Sequence, residues 1–146
     1  MPASNAHQEL VLWVARKMTV DGFLVLGCDG SSPQDGLWGS LPWPFEMRNR
    51  RPDLCGLAPE SGAIAIGEAK TWNDIDTAHT RSQLQVFGRV KIRSTESPCR
   101  LYLAVPRSAA CTLDRVLGDV GLLGARHVSR LHIPDSFITA EHPEYA

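Results

Sequence analysis

The stretch RRPDLCGLAPESGAIAIGEAK, residues 50–70, constrains the fold of this chain more than any other part of the sequence. Two short strand-like runs flank the turn sequence Pro-Glu-Ser-Gly at 59–62, which predicts a β-hairpin. If the turn is symmetric about the bond that follows Glu60, Asp53 lies directly opposite Glu68. Side chains opposed in an antiparallel pair have Cβ atoms roughly 4.5–5.5 Å apart. The hairpin therefore predicts two carboxylates side by side.

Two opposed carboxylates require a neutralising partner. Like charges across a strand pair repel each other, and a bound cation or a shared proton relieves that repulsion. Because alternate residues of a strand share a face, Lys70 should lie on the same side as Glu68. Carboxylate oxygens this close suit a hard divalent cation such as Mg²⁺, and a neighbouring lysine can activate water or stabilise a pentavalent phosphorus. The pattern indicates phosphodiester hydrolysis.

The elements around the hairpin predict an α/β protein with a mixed sheet. We expect Asp74 or Asp76 to cap the helix that follows the hairpin, and the tail from Pro134 to be polar and in part disordered. The predicted elements are a helix over 4–19, strands over 20–26, 50–58 and 63–70, a helix from the cap to about Arg93, a strand over 101–105, a helix around 113–120 and a strand over 127–133.

Two side-chain patterns suggest what packs against the second hairpin strand. One face of that strand carries only small residues, which allows a helix to approach closely. The helix after the hairpin has an apolar stripe at spacings of three and four, and the polar Gln83 interrupts it. Gln83 either points at the site or bonds a neighbouring backbone carbonyl. The small residues are Ala63, Ala65, Gly67 and Ala69.

The sequence Arg51-Pro52-Asp53, followed after fourteen residues by Glu68-Ala69-Lys70, resembles the motif of the PD-(D/E)XK nuclease superfamily, which includes restriction endonucleases and archaeal Holliday-junction resolvases. The order of predicted elements also resembles the superfamily's αβββαβ core. The resemblance covers about residues 5–106 of a single domain, residues 1–146, and leaves a C-terminal αβ extension. It implies a restriction-endonuclease-like fold, with a central mixed sheet flanked by helices. The sequence Arg-Pro-Asp-Leu at 51–54 and the downstream Gln83 are most similar to Holliday-junction-resolvase-like and VRR-type nucleases.

The resemblance implies a set of catalytic residues. In such nucleases Mg²⁺ or Mn²⁺ is held at the positions of Asp53 and Glu68, often with the main-chain carbonyl at the position of Ala69. Lys70 then acts on the attacking water. The implied substrate is DNA, and many small relatives work as dimers or within a larger assembly, because two sites are needed to cut both strands.

Further residues are candidates for the same site. Many superfamily members carry an acid on the first helix, which Glu9 matches, and several carry a glutamine that Gln83 matches. Glu9 is equally well explained as an acid near the positive end of its helix dipole. Arg48, Arg50 and Arg51 form a basic cluster that could contact phosphates, although a solvated loop face is the usual explanation for such a run.

Composition limits these hypotheses. The 146 residues are 43% hydrophobic, enough for one domain with a genuine core. A net charge of −1 offers no general attraction to DNA, so a catalytically inactive nuclease-fold module that binds DNA or a protein partner stays open as the alternative. No signal or membrane-spanning pattern is present, and the cysteine spacing suits neither zinc nor disulfides, which favours a cytoplasmic protein. The cysteines are Cys28, Cys55, Cys99 and Cys111.

Overall fold

A five-stranded mixed sheet with helices on both faces forms the centre of the molecule. The computed structural model describes residues 5–28, 51–92 and 95–139. The elements are α1 (Asn5–Val20), β1 (Leu24–Cys28), β2 (Leu54–Leu57), β3 (Ile64–Ala69), α2 (Ala78–Phe87), β4 (Arg100–Pro106), a 3₁₀ turn (Arg107–Ala109), α3 (Ala110–Asp119), β5 (Val128–Ile133) and α4 (Asp135–Thr139). The predicted order of helices and strands is confirmed, and α4 is an addition to it.

The β2–β3 hairpin has the predicted register. Leu54 lies opposite Gly67 and Cys55 lies opposite Ile66. Gly62 closes the turn, since its N–H donates to the Ala58 carbonyl at 2.8 Å and its φ of 77° is one that glycine adopts without strain. One step beyond the last paired residues, the same register brings Asp53 to Glu68.

The strand directions bring several chain ends to one edge of the sheet. The strand order is β1-β2-β3-β4-β5, with antiparallel pairing from β1 to β3 and parallel pairing from β3 to β5. The carboxyl ends of β3, β4 and β5 therefore meet the amino end of β2. We call this the site edge, and in open α/β sheets the carboxyl ends of parallel strands are the usual place for ligands.

Helix α1 packs closely on the small-residue face of β3, as predicted. Ala65 and Ala69 are buried in the same cluster as Leu10 and Val14 of α1. A Cβ placed on Gly67 would lie 2.6 Å from Val14 Cγ1, so this position admits no side chain without movement of the helix. The opposite face of the sheet packs against α2 and α3. Each helix layer therefore covers one side of the strand that carries Glu68.

Helix α2 is shorter than predicted at both ends. Thr77, and not Asp74 or Asp76, caps it, because the Thr77 hydroxyl accepts the Thr80 N–H at 3.0 Å. The helix ends at Phe87 and not near Arg93. Gly88 follows it and lies so close to Leu122 that a Cβ there would be 2.3 Å from Leu122 Cδ1.

The predictions for the two ends of the chain also need correction. Val20 belongs to α1, so the first strand begins at Leu24 and not at residue 20. Residues 135–139 form helix α4, although a partly disordered tail was predicted. Its Phe137 ring stacks on Trp13 of α1, with the ring centroids 5.6 Å apart. This contact joins residues far apart in the sequence, and the local pattern of the tail does not reveal it.

Some predictions fall outside the described residues. They concern Arg48, Arg50 and the tail beyond 139, together with a long loop that the sequence predicts over 29–49 and that contains the Trp38–Phe45 segment. Within the described ranges, none of the helices has the length and apolar character needed to cross a membrane. No disulfide joins Cys55, Cys99 and Cys111, the cysteines whose side chains are described.

Candidate active site

Asp53 and Glu68 form a buried acid pair at the site edge. Asp53 is 7% exposed and Glu68 is 3% exposed. The Asp53 N–H donates to Glu68 Oε1 at 3.0 Å, and the Ala69 N–H donates to Asp53 Oδ2 at 2.9 Å. Each carboxylate is therefore held by the backbone of the other strand. Because a carboxylate offers about four lone-pair sites, these bonds leave both acids able to accept further ligands.

Lys70 and Gln83 complete this cluster from the side of α2. Lys70 Nζ lies 3.3 Å from Glu68 Oε2 and donates to Gln83 Oε1 at 2.5 Å. The Lys70 N–H donates to the Ala104 carbonyl at 3.0 Å, which continues the β3–β4 pairing through the lysine. Gln83 is buried because it lies on the inward stripe of α2. Gln83, the polar residue within that apolar stripe, thus accepts a hydrogen bond from the Lys70 ammonium group.

The positive charge of Lys70 only partly neutralises the acid pair. Burial, and next the charge of Asp53, raise the pKa of Glu68 to about 8. Lys70 acts in the opposite direction and offsets only part of this shift. Without a further cation, the protonated form of Glu68 is therefore favoured over what an ordinary glutamate would show. A divalent cation between the carboxylates would remove the repulsion that keeps this proton bound.

His7 is a site residue that the sequence analysis missed. From α1, its Nε2 lies 3.2 Å from Asp53 Oδ2, and the hydrogen bond to Asp53 raises the pKa of the His7 imidazole. The helical period offered a signal. His7 precedes Val14 by seven residues, about two turns, so both lie on the face that packs against β3.

The other candidates occupy different places. Glu9 is two residues beyond His7, about 200° around the helix, and it makes no hydrogen bond or ion pair with the site residues described above. Arg51 is exposed, two residues before Asp53. Ala69 contributes its backbone N–H, which donates to Asp53 Oδ2. Among the residues that the structure describes, no three histidine, cysteine, aspartate or glutamate side chains converge as a metal-binding group.

Comparison with known proteins does not assign this site to a family. No protein-family model, no curated protein and no solved structure matches the chain. The chemistry of Asp53, Glu68, Lys70, Gln83 and His7 is therefore the basis for assigning a function.

Proposed function

We propose that this protein is a metal-dependent nuclease that hydrolyses DNA phosphodiester bonds and has a restriction-endonuclease-like core. The observation that carries the proposal is the buried Asp53–Glu68 pair, with the Lys70 ammonium 3.3 Å from Glu68. Burying two acids together costs stability, and a fold gains nothing from it unless the pair binds something. The ligand that fits two carboxylates beside an ammonium group is a hydrated divalent cation that also contacts a phosphate.

The donor set fits Mg²⁺ or Mn²⁺. Asp53 and Glu68 would hold the ion through carboxylate oxygens, and Mg²⁺ sites commonly use only one or two protein carboxylates, with water and phosphate oxygens completing the shell. The raised pKa of Glu68 supports this proposal, because the burial and the Asp53 charge that raise it also favour a bound cation. When bound, such an ion supplies Lewis-acid polarisation of the phosphate and a lowered pKa for a coordinated water.

The remaining side chains have roles that follow from their contacts. Lys70 is held between Glu68 and Gln83, so its ammonium group is placed to orient the attacking water and to stabilise negative charge on the phosphate oxygens. Gln83 restricts the lysine to this orientation. His7 donates to Asp53 Oδ2 from the opposite side and fixes the carboxylate, in the region where superfamily members carry an acid.

Cleavage assays with matched variants test this proposal. The full chain is incubated with linear duplex, branched and single-stranded DNA in Mg²⁺ or Mn²⁺, beside Asp53→Asn and Lys70→Met. We expect cleavage by the unaltered protein, loss of about 100-fold or more in each variant, and loss of metal binding by calorimetry in Asp53→Asn only. Glu60→Gln, a change at an exposed turn, is the control and should retain activity.

Two results would contradict the proposal. One is the absence of both cleavage and metal binding under every condition. The other is cleavage that persists at full rate in Asp53→Asn, which would point to a contaminating nuclease. DNA binding without cleavage, unchanged in both site variants, would instead support the inactive binding module.

A further inference from the structure

Trp72 is a partly exposed aromatic residue at the site edge that the proposed chemistry does not use. Trp72 follows Lys70 by two residues in the sequence, and its side chain is 37% exposed. The indole Nε1–H donates to Ser108 Oγ at 2.8 Å and to Asp135 Oδ2 at 3.3 Å. These contacts hold the ring across the ends of β4 and β5 while part of it faces solvent.

The two residues that accept the indole hydrogen bonds form a fixed support for the ring. The Ser108 N–H donates to Asp135 Oδ1 at 3.0 Å, and the Ser108 hydroxyl donates to Asp135 Oδ2. Arg107, which precedes Ser108 in the chain, is exposed. Desolvation raises the pKa of Asp135, but the hydrogen bonds from Ser108 and, to a smaller degree, the charge of Arg107 lower it overall. The carboxylate of Asp135 is thus engaged by hydrogen bonds, and the Arg107 guanidinium is the group presented to solvent.

The strand order sets the distance between this support and the acid pair. Neighbouring strands lie about 4.8 Å apart, so the ends of β4 and β5 are about 5 Å and 10 Å from the end of β3. Lys70 stands at the end of β3, Arg107 follows β4, and Asp135 follows β5. The site edge therefore presents, in a row, the acid pair with its lysine, a cation and an aromatic ring.

We propose that Trp72 is a stacking platform for an unpaired nucleobase next to the scissile phosphate, with Arg107 contacting the adjoining backbone phosphate. The inference rests on the proposed nuclease function and specifies its substrate class as nucleic acid with a single-stranded segment at the cut. An aromatic ring beside a cation is the combination that binds single strands without base preference. Because the hydrogen bonds to Ser108 and Asp135 already fix the ring, a base that stacks on it costs little side-chain conformational entropy.

Paired variants separate stacking from a structural role. Trp72→Phe and Trp72→Leu both lose the hydrogen bonds to Ser108 and Asp135, so a residue that only ties these segments together would be impaired equally by the two changes. Only the leucine variant lacks an aromatic face. A difference between the variants therefore reports stacking, provided that thermal unfolding shows both to be folded.

The assay is fluorescence anisotropy with a labelled oligothymidylate and with a labelled hairpin duplex, in EDTA, so that nothing is cut. We expect Trp72→Leu to bind the single strand about 5-fold to about 100-fold more weakly than the unaltered protein, and Trp72→Phe to remain close to it. Duplex affinity should be unchanged in both. In nicking assays, cleavage should favour substrates with an unpaired segment.

Equal single-strand affinity of the phenylalanine and leucine variants would overturn the inference, and so would the absence of single-strand binding by the unaltered protein. Because binding is measured without metal, either outcome leaves the nuclease proposal to be judged separately by metal calorimetry and cleavage of duplex DNA. Conversely, stacking demonstrated in a protein that cuts nothing would preserve the binding site and reject catalysis.

Discussion

Replacing Glu68 by glutamine should remove a pH-dependent loss of stability from the metal-free protein. Glutamine keeps the oxygen that accepts the Asp53 N–H, but it carries no ionisable group. Burial and the Asp53 charge raise the pKa of Glu68 from 4.5 to about 8 in the folded protein. The two states therefore bind different numbers of protons in the pH range between these values.

The sign and size of the effect follow from linkage. Between the two pKa values the folded protein retains a proton on Glu68 that the unfolded chain has released, so rising pH favours unfolding. Stability from this group is complete below the ordinary pKa of 4.5 and is lost as pH rises through about 8. One proton corresponds to about 1.4 kcal/mol per pH unit, or about 2 kcal/mol between roughly pH 5 and roughly pH 6.5.

Urea unfolding in EDTA, followed by far-UV circular dichroism at several pH values, measures this difference. The pH range of the comparison ends near pH 6.5 because of His7, whose pKa is also raised. Above the ordinary pKa of histidine, His7 adds its own loss of stability with rising pH. The free energy of unfolding of Glu68→Gln should fall less steeply than that of the unaltered protein. Glu60→Gln, at the exposed turn, should follow the unaltered protein.

Parallel pH profiles for Glu68→Gln and the unaltered protein would refute the reasoning. They would mean that Glu68 is ionised in the folded metal-free protein and that the pair is neutralised in another way. Adding Mg²⁺ provides an independent check, since the ion should stabilise the unaltered protein and leave Glu68→Gln unaffected.

Two further changes test the packing that positions the site. Gly67→Ala should destabilise the fold by about 1–3 kcal/mol in urea unfolding, because its Cβ would meet the stiff Val14 side chain at 2.6 Å. Gly118→Ala in α3, where the nearest atom is 4.0 Å away, should instead stabilise by about 0.5–1 kcal/mol, and equal effects would contradict the packing argument. Phe137→Ala should cost about 0.5–1.5 kcal/mol through loss of the Trp13 stack and speed limited proteolysis near residue 137; unchanged proteolysis would show that the stack does not hold α4.

Local sequence was sufficient to predict the hairpin and the acid pair. Turn chemistry and the two-residue period of strands determine which residues oppose each other, and both are properties of adjacent residues. Asp53 and Glu68 are fifteen residues apart and joined by a tight turn, so their contact follows from the register alone. The apolar stripe of α2 identified Gln83 in the same way, through the helical period.

The predicted boundaries of α2 were wrong because local propensity does not decide where this helix begins and ends. Thr77 competes with Asp74 and Asp76 as the cap, and the three differ little in intrinsic capping preference. The close contact between Gly88 and Leu122 marks the other end of the helix, and it involves a residue more than thirty positions away. Local propensity cannot anticipate such a contact.

The sequence by itself determined the register that sets Asp53 against Glu68, because a hairpin is a local structure. Only the tertiary structure decided that His7 contacts this pair and that Trp72 spans to Ser108 and Asp135. Those contacts depend on how α1 crosses the sheet and on the parallel order of β3, β4 and β5, which result from packing over the whole chain. The acid pair can therefore be predicted from the hairpin alone, whereas the residues that surround it depend on the assembled fold.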